Sequence, residues 1–197
     1  MARIAGPRLR SPTVVIVRGV PWWGVVSSAA APVLLVGGWT VAAGLQPRSF
    51  NAVADTISSL AAEDAANRWV MTLALLGVGA CFVLTGLALR PAAPPGRLIL
   101  VTGGVATMLA AANPQPAGGG GSLEHAFWAA VGFMALALWP AGGRRQGSSV
   151  PYGLRAAVST RATAVLLGLL AWFAVELIVG GWQIGRASCR ERVFPSV

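Results

Sequence analysis

Apolar residues in this chain come in long unbroken runs. They do not alternate as in a half-buried strand, and they do not form the single stripe of a soluble amphipathic helix. A helix crossing a bilayer needs roughly 20 mostly apolar residues. Five segments answer to that description, at about 22–45, 69–89, 97–112, 123–139 and 162–181. The first two carry no charge, the third is short unless it is extended through Arg97, and the fifth contains Glu176. The pattern predicts an all-α fold, a polytopic transmembrane helix bundle with five helices present. Pro32 sits inside the first run, where neighbouring helices can satisfy the carbonyl it frees. The first run is too long for the 7–15-residue core of a cleaved signal peptide, so it reads as an anchor.

Composition supports this. The 197 residues are 55% hydrophobic and 11% charged, with a mean hydropathy of +0.68. A soluble domain carries roughly 25% charged residues, so too few are present to cover a water-facing surface. The 25 glycines and 13 prolines also suit membrane helices.

Charge fixes an expected orientation. Every basic residue is Arg, and the net charge is +9. Arg3, Arg8, Arg10 and Arg18 precede the first helix. Arg90 and Arg97 lie between the second and third, and Arg144, Arg145, Arg155 and Arg161 between the fourth and fifth. All ten fall on one side of the membrane, against Arg48 and Arg68 on the other, which places the amino terminus in the cytoplasm. Trp22, Trp23 and Trp139 then mark the inner interface, and Trp69, Trp128 and Trp182 the outer one. No basic face with interleaved aromatics is present, which argues against nucleic acid as a partner. The lipid bilayer is the expected partner; a membrane-protein partner or a homo-oligomer is left open.

The residues after Trp182 read differently. Ile184 to Val193 is the translation, in one frame, of a short-read sequencing adapter, and residues 183–197 are expected to be a foreign tail. On that reading the native chain continues, and a sixth helix has been lost. Residues 1–21 form an expected cytoplasmic segment, and 22–182 the helical domain.

Candidate chemistry gathers on the outer side. Between the first two helices, Phe50, Val53, Ile57 and Leu60 recur at spacings of three and four, opposite Asn51, Asp55, Ser58 and Ser59. The spacing predicts a short amphipathic helix, begun at Ser49, that lies on the membrane surface or caps the bundle. Glycines 118–121 do not make a P-loop, since no strand precedes them and no Lys-Ser/Thr follows. His125, the single histidine, opens the fourth helix and reads as an interfacial hydrogen-bonding group. It cannot supply bis-histidine haem ligation or an ordinary zinc set, and no metal or cofactor is expected. Glu176 is expected roughly 7 Å below the outer end of the fifth helix. A carboxylate inside a membrane is costly and is a functional hypothesis by default; the bland alternative is that it snorkels to the headgroups. Asp55, Ser58, His125 and Glu176 together form a candidate outer-side polar site, motivated by shared depth. No catalytic residue is assigned. Cys81 reads as a small buried hydrophobe, and no disulfide framework follows from two cysteines.

Two short motifs carry a resemblance. Asp55-Thr56-Ile57-Ser58-Ser59-Leu60 resembles the Asp-x-Ile-Ser-x-Leu run of the bacterial membrane family catalogued as domain of unknown function 998. His125-Ala126-Phe127-Trp128 is similar to that family's outer-end histidine. The resemblance spans roughly residues 22–182 and implies a small membrane protein of about six helices in a bacterial cytoplasmic membrane, with no biochemistry assigned. Three functions compete: a non-enzymatic structural, sensing or partner-binding bundle; a small transporter, which Glu176 and the Gly/Pro-bearing helices would suit; and an outer-face hydrolase using Asp55, Ser58 and His125, around which no nucleophile motif stands.

Overall fold

In the computed structural model the described residues are 19–47, 56–117, 121–147 and 149–193, with side chains described as far as Val179. Five α-helices follow one another: α1 Trp22–Gly44, α2 Trp69–Ala88, α3 Pro94–Ala112, α4 Leu123–Gly143 and α5 Ala156–Val193. All five are long and apolar enough to cross a membrane, α5 through its Ala156–Val179 portion. The fold is an all-α bundle. Its helices pack in chain order, α1 on α2, α2 on α3, α3 on α4 and α4 on α5.

Helix packing in lipid gains little from the hydrophobic effect and depends on close backbone approach through small residues. That is what joins the three central helices. A Cβ added at Gly104 of α3 would fall 2.5 Å from the carbonyl oxygen of Gly79 on α2. One added at Gly96 of α3 would strike the backbone of Gly142 and Gly143 on α4. Small polar side chains add to the contact: Ser27 Oγ and Thr85 Oγ1 hydrogen-bond between α1 and α2 at 2.9 Å. α1 and α5 bury least, with 17% and 6% of their membrane windows inside the protein.

Four helix ends differ by three residues or more from those read off the sequence. α3 begins at Pro94, earlier than expected, because Pro is suited to the first helical turn and Ala93 before it is extended. This puts Arg97 in that turn. Its Nε and Nη2 donate to the carbonyls of Gly86 and Leu87 at 3.0 and 2.9 Å, satisfying acceptors at the end of α2. α4 continues through Pro140 to Gly143, past its expected end at Trp139. The extension carries the two glycines that receive Gly96. α5 begins at Ala156, before its expected start at 162, with Ser159 N–H bonded to the carbonyl of Arg155 at 2.9 Å, and it runs to Val193, past its expected end at 181.

The expected foreign tail, 183–197, falls on side chains outside the described residues, as do the arginines before residue 19.

Candidate functional site at the capped end

One end of the bundle is closed by the connection between α1 and α2. Its described part is a 3₁₀ turn, Ile57–Ala61, rather than the α-helix the spacing predicted; Phe50, Asn51, Val53 and Asp55 lie outside the described residues. The apolar side of the pattern does what was expected of a cap. Leu60 is 2% exposed and Met71 fully buried, and both pack with Ala42 and Ala61. Ile57, Trp39 and Leu35 close around them. The turn therefore rests on the ends of α1 and α2.

Hydrogen bonds then fix the cap to the bundle. Gln46, just past α1, accepts from the N–H of Ala66 at 3.2 Å and donates from Nε2 to the carbonyls of Ala66 and Ala42, at 2.9 and 3.1 Å. Across the end, the N–H of Glu63 donates to the carbonyl of Gln115 at 3.0 Å. This joins the cap to the α3–α4 loop. Arg68 stands over the ring of Trp69 at 4.7 Å, where α2 begins.

His125 ties the start of α4 to the end of α3. Ser122 caps α4, accepting from the N–H of His125 at 3.3 Å. The imidazole is 6% exposed. Its Nδ1 lies 2.9 Å from the carbonyl oxygen of Ala110 and 3.0 Å from that of Asn113. Two acceptors facing one ring nitrogen require that nitrogen to carry the proton, so the neutral ring is the Nδ1–H tautomer. The cause lies in the chain itself. In a continuing helix the carbonyl of Ala110 would receive the N–H of residue 114, but residue 114 is proline and has none. His125 supplies the missing donor. Its Nε2, a lone-pair acceptor in this tautomer, has no hydrogen-bond partner among the described residues.

The other candidates are placed as follows. Ser58 lies half-buried in the cap turn. Glu176 lies on an exposed face of α5, where its Oε1 accepts from Trp172 Nε1 of its own helix at 3.1 Å. The rings of Phe133 on α4 and Phe173 on α5 meet edge to face at 5.7 Å, which sets the register of the two helices. His125 is eight residues towards the cap from Phe133, and Glu176 three residues from Phe173. At 1.5 Å per residue, Glu176 sits about 7.5 Å below the level of His125. No hydrogen bond among the described residues joins any two of Ser58, His125 and Glu176. No group of three or more His, Cys, Asp or Glu that could hold a metal ion occurs among them either.

Sequence reasoning passed over Gln46, Glu63 and Gln115. Gln46 acts through its side-chain amide, and Glu63 and Gln115 through their backbones, on partners distant in the chain, for which the sequence holds no local signal. Pro114 did carry a signal, since a proline four residues beyond a helical carbonyl announces an acceptor that needs an outside donor.

A model of the family described as "Protein of unknown function (DUF998)" matches residues 28–189, reaching six residues into the run that reads as an adapter translation. No curated protein and no solved structure matches.

Proposed function

We propose a function for a chain that belongs to the DUF998 family and whose five apolar helices make it a membrane protein: a non-enzymatic bundle that presents its cap as a sensing or partner-binding surface. The membrane is the bacterial cytoplasmic membrane, with the amino terminus and the arginine-rich end inside and the cap outside. The carrying observation is the way the cap is held. An apolar plug at Leu60 and the Gln46 clamp hold it on α1 and α2, and the Glu63–Gln115 bond ties it to the α3–α4 loop, whose two helices the His125 bridge joins. Glu63, Asp64 and Glu124 stand exposed around it. A rigid, polar, outward surface on an apolar scaffold suits recognition.

The transporter reading has less support. Alternating access needs one group of helices to rock against another, whereas α2, α3 and α4 touch backbone to backbone at Gly79–Gly104 and Gly96–Gly143. The hydrolase reading has one favourable observation, that Nε2 of His125, which a base would need, has no hydrogen-bond partner among the described residues.

Two measurements test the proposal. Alkaline phosphatase fused after Gln115 should be active and after Arg145 inactive; the reverse pattern would overturn the orientation. A photo-crosslinking residue in place of Glu63 should give a discrete protein adduct in living cells, and one in place of Gly37 on α1 should not. Absence of any adduct from Glu63 and from Ser58 would sink the partner-binding role. Ester or lipid turnover by the purified chain, lost with Ser58→Ala and His125→Ala, would replace it with the hydrolase.

A further inference from the structure

At the end opposite the cap, the α2–α3 and α4–α5 connections form one knot. Leu89, Ala92, Val150 and Leu154 pack together. The N–H of Ala93 donates to the carbonyl of Gly143 at 3.1 Å, and that of Arg145 to Leu154 at 2.8 Å. The second bond is part of a parallel β-bridge that sets Arg145 beside Arg155. Bridged backbones lie about 4.8 Å apart, and like charges directly opposite one another are destabilising.

Little in the described protein offsets this. The acids whose side chains are described are Glu63, Asp64 and Glu124 at the capped end and Glu176 within α5. Arg145 Nη2 donates to the carbonyl of Ala92 at 3.3 Å, and Arg155 Nε to that of Val150 at 3.4 Å, while Arg155 Cζ stands over the ring of Tyr152 at 5.8 Å. A guanidinium has five N–H donors, so most remain unused. Arg90 and Arg144 are exposed on the adjoining turns. Four arginines on one knot, two of them on bridged backbone positions, form a site for an anion with several oxygens.

The position of the knot says which anion. It lies where four apolar helices end, at headgroup depth. Trp139 stands in the last turns of α4, and Tyr152 is 72% exposed on the loop, as amphipathic rings are at a lipid interface. We propose that this knot binds the phosphate of an anionic phospholipid headgroup between Arg145 and Arg155, with Arg90 and Arg144 beside it. The site draws the protein's own loop charges onto acidic lipid and relieves the repulsion the β-bridge creates.

The test uses the full chain in neutral-detergent micelles, with fluorescent phosphatidylglycerol as probe and fluorescent phosphatidylcholine as its zwitterionic control. Phosphatidylglycerol should bind at least about tenfold more tightly. The double variant Arg145→Gln/Arg155→Gln should lose roughly thirtyfold, the equivalent of about 1 kcal/mol for each arginine. Arg68→Gln at the capped end should lose nothing. If the Gln pair does not fold, Arg90→Gln/Arg144→Gln reads the same site, since neither side chain bonds to a described residue; its expected loss is about tenfold. Equal affinity for the two lipids, or undiminished phosphatidylglycerol binding in a folded double variant, overturns the proposal. Displacement of the probe by inorganic phosphate beyond that by chloride at equal ionic strength would assign the site to a free anion and overturn the lipid.

Discussion

Replacing Gly104 by alanine adds one methyl group where the backbones of α2 and α3 are in contact. The ideal Cβ lies 2.5 Å from Gly79 O, 2.8 Å from Val83 N and 2.9 Å from Val83 Cγ2. Two of these are backbone atoms and cannot rotate away. Even favourable carbon–oxygen contacts stand at about 3.3–3.6 Å, so the helices must separate locally by about 0.8–1.1 Å. A gap of 0.5–1 Å forfeits roughly a quarter to a half of the dispersion attraction across it. In lipid that attraction is a main part of what holds helices together. Overpacking of this kind costs about 1–3 kcal/mol.

Alanine also favours helix over glycine, by about 1 kcal/mol in water, and this would mask part of the loss. Gly37→Ala on α1 is the control, because its Cβ meets nothing within 4 Å. The two variants share the propensity gain, and their difference isolates the clash. Unfolding of the full chain in mixed micelles should show Gly104→Ala less stable than Gly37→Ala by about 1–3 kcal/mol. Equal stability would refute the claim that backbone contact between Gly79 and Gly104 holds the bundle.

Two further substitutions address the candidate site. His125→Ala leaves the carbonyls of Ala110 and Asn113 without their shared side-chain donor and should cost about 1–3 kcal/mol in the same unfolding assay. His125→Asn, whose amide nitrogen can stand where Nδ1 stands, should recover much of that, so a function lost in both variants would belong to Nε2. Glu176→Leu removes an exposed carboxylate whose hydrogen bond is to its own helix and should stabilise the bundle by on the order of 1 kcal/mol. Destabilisation would show that a group on another helix holds Glu176.

The parts of the fold that were legible in the sequence rest on strong one-dimensional signals. Twenty apolar residues in a row admit few solutions, and all five helices follow from them. Helix ends are weaker signals. The start of α3 at Pro94 was available from proline's place in a first turn. The passage of α4 through Pro140 was not, because proline ends most helices, and what favours continuation is the fit of Gly142 and Gly143 against Gly96. That fit exists only in three dimensions. At the cap, Ile57 and Leu60 were legible as apolar anchors, but three- and four-residue spacing cannot tell one 3₁₀ turn from the start of an α-helix. Gln46 reaches Ala66 across 20 residues, which no periodicity encodes. His125 lies between these cases. Its role as a hydrogen-bonding group could be read from its type and place, and the need for it from Pro114. What the sequence withholds is that the two meet, which requires α3 and α4 to be antiparallel neighbours with a particular register. Proline removes a donor at one helix end, and a histidine at the next helix start restores it. A residue read alone as a candidate ligand or base is therefore first of all the completion of α3, and any chemistry of this histidine falls to its other nitrogen.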